Sequence, residues 1–236
     1  MNRFPLLIVC LILVSAIQSD LRAQTKDYFI YPQHMPFEKY KSSIGLALAD
    51  LPEDQVEEAS TFIRGPLFNY QALYGLPRNF QIYGSLFTNI ITFHFSLGPK
   101  WNFQTDNLAF AIGYDIAYWF GELNQYGFKS KVNGWINYPN IAIGYDFNKF
   151  SITLKSELII LTSLSEKSDD VKVDTEYNTF AGFTAGLYIE QPLWKNNYFL
   201  VGLKINYTQF YYPVWAAFPT FNRKFVIPEI IIGFNL

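Results

Sequence analysis

The sequence contains almost no cysteine. Among its 236 residues the single cysteine is Cys10, which lies in an amino-terminal segment that we expect to be removed. The mature chain would then have no thiol, which excludes disulfide bonds, thiolate-ligated metals and cysteine catalysis. The two histidines, His34 and His94, are too few and too far apart to form a metal site. We therefore expect neither a cofactor nor a bound metal.

Charged residues are also scarce. They make up 16% of the chain, below the roughly 25% typical of soluble domains. The net charge is −2 and the basic residues are scattered, so the sequence offers no footprint for a nucleic-acid partner. Aromatic residues are abundant by contrast, at 19%, with 17 Tyr and 23 Phe. A chain with little charge and many aromatic residues is typical of a protein that faces a membrane.

Long apolar runs are missing beyond residue 30. Polar residues interrupt every apolar stretch within a few positions, so none reaches the roughly 20 residues of a membrane-spanning helix. A membrane protein without spanning helices must be a closed barrel, because only a closed sheet pairs all its backbone groups in lipid.

Residues 1–23 predict a secretory signal peptide. A basic residue precedes an apolar run over residues 4–17, which is too short to span a membrane. Small residues then provide two possible cleavage sites, after Ala16 or after Ala23. The polar and aromatic residues 24–39 are expected to form either a periplasmic segment or an insert in the lumen.

Segment 107–121 has the clearest strand pattern. Its even positions are all large and apolar or aromatic, whereas its odd positions are small or charged, with Trp119 as the exception. This alternation predicts a strand that faces lipid on one side and the lumen on the other. The pattern recurs along residues 40–236 and predicts an all-β fold, a transmembrane antiparallel up-and-down β-barrel of about ten strands, with 8–12 possible. The predicted strands are 40–49, 66–76, 79–86, 89–103, 107–121, 135–147, 150–162, 176–191, 196–210 and 226–236.

One hairpin provides a separate test of the register. Asn148 and Lys149 are typical of a two-residue turn, which would place Phe147 opposite Phe150, both on the outward face. The connections alternate in length as well. The long ones, expected at the outer surface with both termini periplasmic, are 50–65, 122–134, 163–175 and 211–225.

The predicted strands place two sets of side chains. Mixed charges on the inward face suggest ion-paired packing more than an open pore, because about eight strands already leave little interior space. These lumen charges are Lys100, Asp115, Asp146, Lys155, Glu157, Glu190, Lys204 and Glu229. Tryptophans near strand ends predict two aromatic girdles at the membrane interfaces. The girdle residues are Trp101, Trp119, Trp135, Trp194 and Trp215.

A soluble lipocalin-like barrel is the alternative fold. It would reverse the two faces, so that apolar side chains filled the lumen and Lys100, Glu157 and Lys204 faced water. The summed bulk of the apolar face is too large for so small an interior, which favours the membrane barrel.

The last nine residues resemble the C-terminal strand of Gram-negative outer-membrane β-barrel proteins. Apolar residues alternate to the end of the chain, at Ile230, Ile232, Phe234 and Leu236, although the usual final residue is aromatic. The resemblance implies insertion by the barrel-assembly machinery, location in the outer membrane, and contact with outer-membrane lipid and lipopolysaccharide. It covers nearly the whole mature chain but implies no activity.

His94 and Ser96 form the one pair that suggests catalysis. The pair resembles part of the motif of outer-membrane lipid A deacylases, in which serine is the nucleophile and histidine its base. The family motif continues with asparagine, whereas Leu97 stands here, and the strand pattern turns the pair into the lumen instead of toward lipid.

Three functions remain open on the sequence alone. The first is a non-enzymatic structural or accessory subunit of a larger surface or envelope complex, with other outer-membrane proteins as possible partners. The second is a narrow channel for small polar solutes. The third is a lipid A-modifying acyl hydrolase that uses His94 and Ser96.

Overall fold

The computed structural model describes residues 27–50, 64–89, 91–125, 128–168, 171–193, 197–209, 211, 215 and 224–236. The expected signal peptide, both candidate cleavage sites and Trp194 lie outside these residues. The described chain forms ten strands: β1 (Tyr40–Asp50), β2 (Arg64–Gly75), β3 (Phe80–Thr88), β4 (Thr92–Thr105), β5 (Leu108–Gln125), β6 (Phe128–Asp146), β7 (Ser151–Ser168), β8 (Val171–Pro192), β9 (Tyr198–Thr208) and β10 (Phe225–Asn235).

The ten strands close into one barrel. Each pairs antiparallel with its neighbours in the chain, and β1 pairs with β10 to complete the ring. The predicted all-β, antiparallel up-and-down barrel is therefore confirmed. Among the described residues, no helix is long and apolar enough to cross a membrane.

Strand β5 shows why the sequence forms this barrel. Ile112 is 61% exposed on the outer face, whereas the neighbouring Ala111 is 3% exposed on the inner face. Large apolar residues cover the outside and small or polar residues line the inside, which is the arrangement expected of a barrel surrounded by lipid. The reversed, lipocalin-like arrangement is thus wrong for this chain.

The hairpin between β6 and β7 has the predicted register. Asp146 lies opposite Ser151, and the amide of Phe147 donates to the carbonyl of Phe150 at 2.9 Å. Asn148 has a φ of 69°, a left-handed conformation that asparagine tolerates better than most residues. Turn chemistry and face alternation therefore give the same register.

Two of the predicted long loops are in fact strand. The β5–β6 hairpin continues to Gln125 and resumes at Phe128, and the β7–β8 hairpin continues to Ser168 and resumes at Val171. The prediction of loops at 122–134 and 163–175 was wrong, because polar residues replace apolar ones on the outward face there while the strands stay paired. These two hairpins, which we call the long hairpins, extend one end of the barrel; the opposite end, with its short turns, is the short-turn end.

A β-bulge resets the alternation near the base of the long hairpins. The register between β6 and β7 shifts between Trp135 and Ile136. As a result Leu161 and Leu164, three positions apart, are both buried in the interior. Above the bulge the odd-numbered residues of β7 face outward, whereas below it the even-numbered residues do.

Candidate functional site in the barrel interior

The interior of the barrel is filled in three layers. Residues 27–39, which we call the strap, close the short-turn end. A layer of ion-paired side chains occupies the middle. A cluster of apolar side chains, which we call the cap, fills the end that carries the long hairpins. The main members of the cap are Trp119, Val132, Ile136, Leu161, Leu164, Tyr211, Trp215 and Phe225.

Glu190 holds the strap by three consecutive backbone amides. Its carboxylate accepts from the N–H groups of Phe29 at 2.6 Å, Ile30 at 3.0 Å and Tyr31 at 2.8 Å. The side-chain amide of Asn235 donates a fourth hydrogen bond at 2.8 Å. Glu190 is fully buried, and hydrogen bonds of this kind are what a buried carboxylate needs to offset its lost hydration.

Tyrosine hydroxyls of the strap bind two adjoining turns of the barrel. Tyr28 donates to the Asp146 carboxylate at 3.2 Å, and Tyr31 donates to the backbone carbonyl of Asn107 at 3.0 Å. Tyr28 also packs edge-on against Tyr198, with ring centroids 5.1 Å apart. The strap thus contacts turns and strand ends from several parts of the barrel. These contacts hold it in one position inside the lumen.

Asp27 forms a small charged cluster where the strap enters the barrel. Its carboxylate lies 2.5 Å from the Lys39 ammonium and pairs with that of Lys41. Burial alone would raise the pKa of Asp27, but the hydrogen bonds and positive charges of Lys39 and Lys41 outweigh it, so the pKa lies below its ordinary value. Lys41 also donates to the backbone carbonyl of Tyr28 at 2.9 Å.

The middle layer is built from two ion pairs. Lys155 and Glu157 are 2.5 Å apart, and Lys204 and Glu229 are 2.7 Å apart. Glu229 also accepts from the side-chain amide of Asn206 at 3.1 Å. Buried charges are stable only when paired and hydrogen-bonded, and these charges are both.

Two further charged residues, Lys100 and Asp115, lie beside these ion pairs, and no ion pair is described between the two. The Lys100 ammonium lies 4.8 Å above the ring of Tyr83, and one oxygen of Asp115 accepts from Asn140 at 3.0 Å. A cavity of about 90 Å³ remains in this layer. That volume is large enough for several water molecules.

The cap closes the other end with apolar bulk. Trp119 is 0% exposed, and Trp215 is buried beside it in the same apolar cluster and donates from its indole nitrogen to the Thr92 hydroxyl at 3.1 Å. Gly121 leaves the space for Trp215, because any side chain at this position would collide with the indole ring. The cap thus fills this end of the lumen with apolar side chains.

The placement of two tryptophans in a lipid-facing girdle was wrong. Trp119 and Trp215 face the interior and form the centre of the cap. The inward parity of Trp119 indicates an interior position, whereas its aromatic character alone is compatible with a membrane interface. Trp101 and Trp135 do lie on the outer face, and Trp135 is 49% exposed.

All eight predicted lumen charges lie on the inward face, but they serve two purposes. Asp146 and Glu190 bind the strap, whereas the other six form the middle layer. Sequence reasoning did not find the other barrel residues that contact the strap or its anchor Glu190, which include Lys41, Tyr198 and Asn235. The inward parity of these residues in their strands was the signal available for them. The four apolar residues of that strand, Ile230, Ile232, Phe234 and Leu236, are exposed on the outer face.

His94 and Ser96 do not form a catalytic arrangement with lipid. Both are buried in the interior. The Nε2 atom of His94 lies 3.1 Å from the hydroxyl of Tyr138, and the hydroxyl of Ser96 shares a hydrogen bond of 2.6 Å with that of Ser85. His94 therefore has a partner on β6 and Ser96 one on the adjacent β3, and neither side chain reaches the outer face where acyl chains would lie.

Comparisons with known proteins extend the description of the fold. No protein-family model matches the sequence, and no curated protein matches it significantly. Among solved structures, the chain is similar to neisserial surface protein A (12% identity, 84% of this chain and 96% of that one, TM-score 0.36) and to the KdgM porin (9%, 82% and 97%, 0.39). It is also similar to an active-site mutant of outer membrane phospholipase A from Escherichia coli (12%, 95% and 96%, 0.40). These neighbours are outer-membrane β-barrel proteins. With TM-scores below 0.5, the likenesses carry no argument about function, which depends on the chain's own geometry.

Proposed function

We propose that this chain is an outer-membrane β-barrel that seals its own lumen and acts as a non-enzymatic structural or accessory subunit of an envelope complex. The observation that carries the proposal is the closure of the barrel at both ends. Glu190 binds three amides of the strap at one end, and Trp119 and Trp215 fill the other. A barrel closed in this way leaves its outer wall and its long hairpins as the working surfaces.

Three features support the outer membrane as the location. The outer wall has a band of apolar residues on every strand, one end has short turns and the other long hairpins, and the last strand alternates to Leu236. This asymmetry is typical of outer-membrane barrels, whose short turns are periplasmic. The expected signal peptide at residues 1–23 would direct export, and the last strand would be recognised by the barrel-assembly machinery.

Conductance in planar lipid bilayers tests the closed lumen. The full barrel is expected to insert without opening a channel. A variant that lacks residues 27–39 and carries Trp119→Ala and Trp215→Ala removes both closures and serves as the positive control, with steps of measurable conductance. Steady conductance of the unmodified barrel, at a level near that of the opened variant, would overturn the proposal.

Co-purification from native membranes tests the role as a subunit. After mild cross-linking, the barrel is expected to be recovered with another outer-membrane protein in fixed proportion. A control variant that keeps the barrel but replaces the exposed long hairpins with short turns should lose that protein. Recovery of the barrel alone, with and without cross-linking, would contradict the accessory role.

A narrow channel is the second candidate, and the middle layer is what favours it. The 90 Å³ cavity is lined by both members of the Lys155–Glu157 pair and by Lys204, so a polar path would exist if strap and cap moved aside. Conductance that appears in the strap-deleted barrel with an intact cap would support this candidate over the closed one.

A further inference from the structure

The outer face of the long hairpins carries a group of exposed lysines. Lys129 and Lys131 lie on β6, and Lys167 lies on β7, all exposed. Lys131 and Lys167 are directly opposite each other in the register of the two strands. Like charges in this position repel each other, so the pair is stabilised by any anion that binds between them.

One carboxylate on this face partly balances the lysines. Glu122 of β5 lies 3.3 Å from the Lys129 ammonium and 3.2 Å from that of Lys131. Glu122 makes no described ion pair with Lys167. Glu166, the residue before Lys167 in β7, lies opposite Val132 on the inward face. Among the described side chains of this face, three ammonium groups therefore stand against one carboxylate.

An aromatic stripe lies directly below the lysines on the same outer face. Phe120 stacks on Phe93 with ring centroids 5.3 Å apart. The ring centroids of Tyr118 and Trp135 are 4.9 Å apart. Phe120 precedes Glu122 by two residues, which is about 7 Å along a strand. Aromatic rings of this kind favour the boundary between acyl chains and headgroups, so the lysines stand at the height of the headgroups.

Polar uncharged side chains complete the face. Asn133 is exposed between Lys131 and Trp135 on β6, and Ser165 lies opposite it on β7. Asn137 donates to the hydroxyl of Thr162 on the same side of the wall. Amides and hydroxyls of this type bind sugar hydroxyl groups, whereas the ammonium groups bind phosphate.

We propose that this face is a binding site for a phosphorylated glycolipid of the lipid A type, with a phosphate between Lys131 and Lys167 and acyl chains along the aromatic stripe. The site rests on the proposed location in the outer membrane. Lys129 binds a second phosphate or sugar oxygen, and Glu122 limits the affinity because its charge opposes that of the ligand. A glycolipid fits better than a simple phospholipid, since the face offers both phosphate and sugar contacts.

Native mass spectrometry of the barrel in detergent, with purified diphosphoryl lipid A added, measures the site directly. Replacement of both central lysines, Lys131→Gln with Lys167→Gln, is expected to weaken binding about tenfold, because two charge-assisted contacts are lost. Glu122→Gln is expected to strengthen binding about two- to threefold, an opposite change that general damage to the fold would not produce. Lys149→Gln, at the short-turn end, is the matched control and should leave binding unchanged.

The choice of lipid separates this site from its alternatives. Lipid A without phosphates is expected to bind the parent barrel no better than diphosphoryl lipid A binds the double lysine variant. Phosphatidylglycerol is expected to bind the parent barrel more weakly than diphosphoryl lipid A does. Equal binding of lipid A by the parent barrel and the double variant, or equal binding of phosphatidylglycerol and lipid A, would overturn the proposal. Heat-dependent gel migration and insertion into lipid vesicles report on the barrel itself, so a failed membrane assignment is distinguished from a failed lipid site.

Discussion

The two ends of the lumen are closed by opposite kinds of chemistry. At the short-turn end a separate segment, the strap, is held by hydrogen bonds to Glu190 and by the charges around Asp27. At the other end the cap is built largely from the strands' own inward side chains, with Trp119 and Val132 packed without charge. A segment held by hydrogen bonds can be released while the barrel stays folded. Side chains that belong to the strands cannot leave the lumen unless the strands themselves move.

The contrast divides the interior into a removable part and a permanent part. The strap adds no strand to the sheet. Its backbone bonds to a strand are those of Glu38 and Lys39 with Gly75 at the end of β2, so release of residues 27–37 leaves the pairing between strands intact. The cap joins side chains of several strands, including Ile136, Leu164 and Phe225, and its loss removes packing that those strands share. We therefore expect changes in the cap to alter the free energy of unfolding and changes in the strap to alter access to the lumen.

The largest effect is expected from Trp119→Ala. The side chain is fully buried, and its removal leaves a cavity that should cost on the order of 3–5 kcal/mol of unfolding free energy. Urea titration in detergent, followed by loss of the heat-sensitive gel shift, measures this change. Trp135→Ala, on the exposed outer face, is the control and should cost far less in detergent. A similar loss in both variants would mean that the cap has no special role.

Glu190→Ala is expected to release the strap while the barrel stays folded. Three backbone N–H groups would lose their acceptor at once. A reporter cysteine, Phe29→Cys, measures the release, because the mature chain is expected to have no other thiol and Phe29 is buried. Labelling by a maleimide should become at least about tenfold faster, the loss of each such bond being worth roughly 1–3 kcal/mol.

The matched control for strap release is Glu157→Gln, which breaks an ion pair in the middle layer without touching the strap. It should leave the labelling rate of the reporter unchanged. If Glu190→Ala and Glu157→Gln accelerate labelling equally, Glu190 is not the residue that holds the strap.

Two glycines allow the same substitution to be made at both ends. Alanine at Gly121 would collide with Trp215 of the cap, and alanine at Gly144 would collide with Tyr31 of the strap. Gly121→Ala should lower the unfolding free energy by about 1–3 kcal/mol, as overpacking does, because the cap cannot move away. Gly144→Ala should instead speed labelling of the Phe29→Cys reporter and leave barrel unfolding nearly unchanged. The opposite pattern would show that the strap is the more rigid of the two.

The smallest expected effect is a pH dependence of the strap. The pKa of Asp27 is depressed in the folded state, so its stabilising contribution is present above the unfolded value of 3.8 and is lost as the pH falls below it. The protection of the Tyr28–Tyr31 amides against hydrogen exchange, corrected for intrinsic rates, should fall about two- to threefold as the pH is lowered through this transition. A change of this size is expected for a partly exposed ion pair. Asp27→Asn should remove the dependence. An unchanged dependence in Asp27→Asn would assign it to other groups, Glu190 first among them.

The strand order and register were accessible from the sequence because lipid and lumen impose opposite demands on alternate residues. The faces of β5 and the pairing of Phe147 with Phe150 follow directly from that rule. Beyond the membrane, the outward residues no longer need to be apolar, because they face water. The alternation is then visible only in the inward residues. For that reason the upper parts of the long hairpins were predicted to be loops, although inward residues such as Val132 and Leu164 continue the pattern.

The interior was less accessible, since a lumen can be filled in several ways by the same residue types. The parity of Glu190 and Asp146 fixed the direction of their side chains but did not show that they bind the strap. Tryptophan near a strand end is compatible with an interface girdle and with an apolar cap, so Trp215 could not be assigned from type alone. Contacts between residues more than 150 positions apart, as between Phe29 and Glu190, leave no local pattern in a sequence.

The position of the strap also bears on the order of assembly. It precedes β1 in the chain, yet several of its contacts are to Asn107, Asp146, Glu190 and Tyr198, in or beside later strands. The contacts to Glu190 and Tyr198 require β8 and β9 to be in place, so the strap cannot be fully seated before those strands have paired. The segment that precedes the first strand is thus among the last to reach its final place, and its burial follows the arrival of β8 and β9.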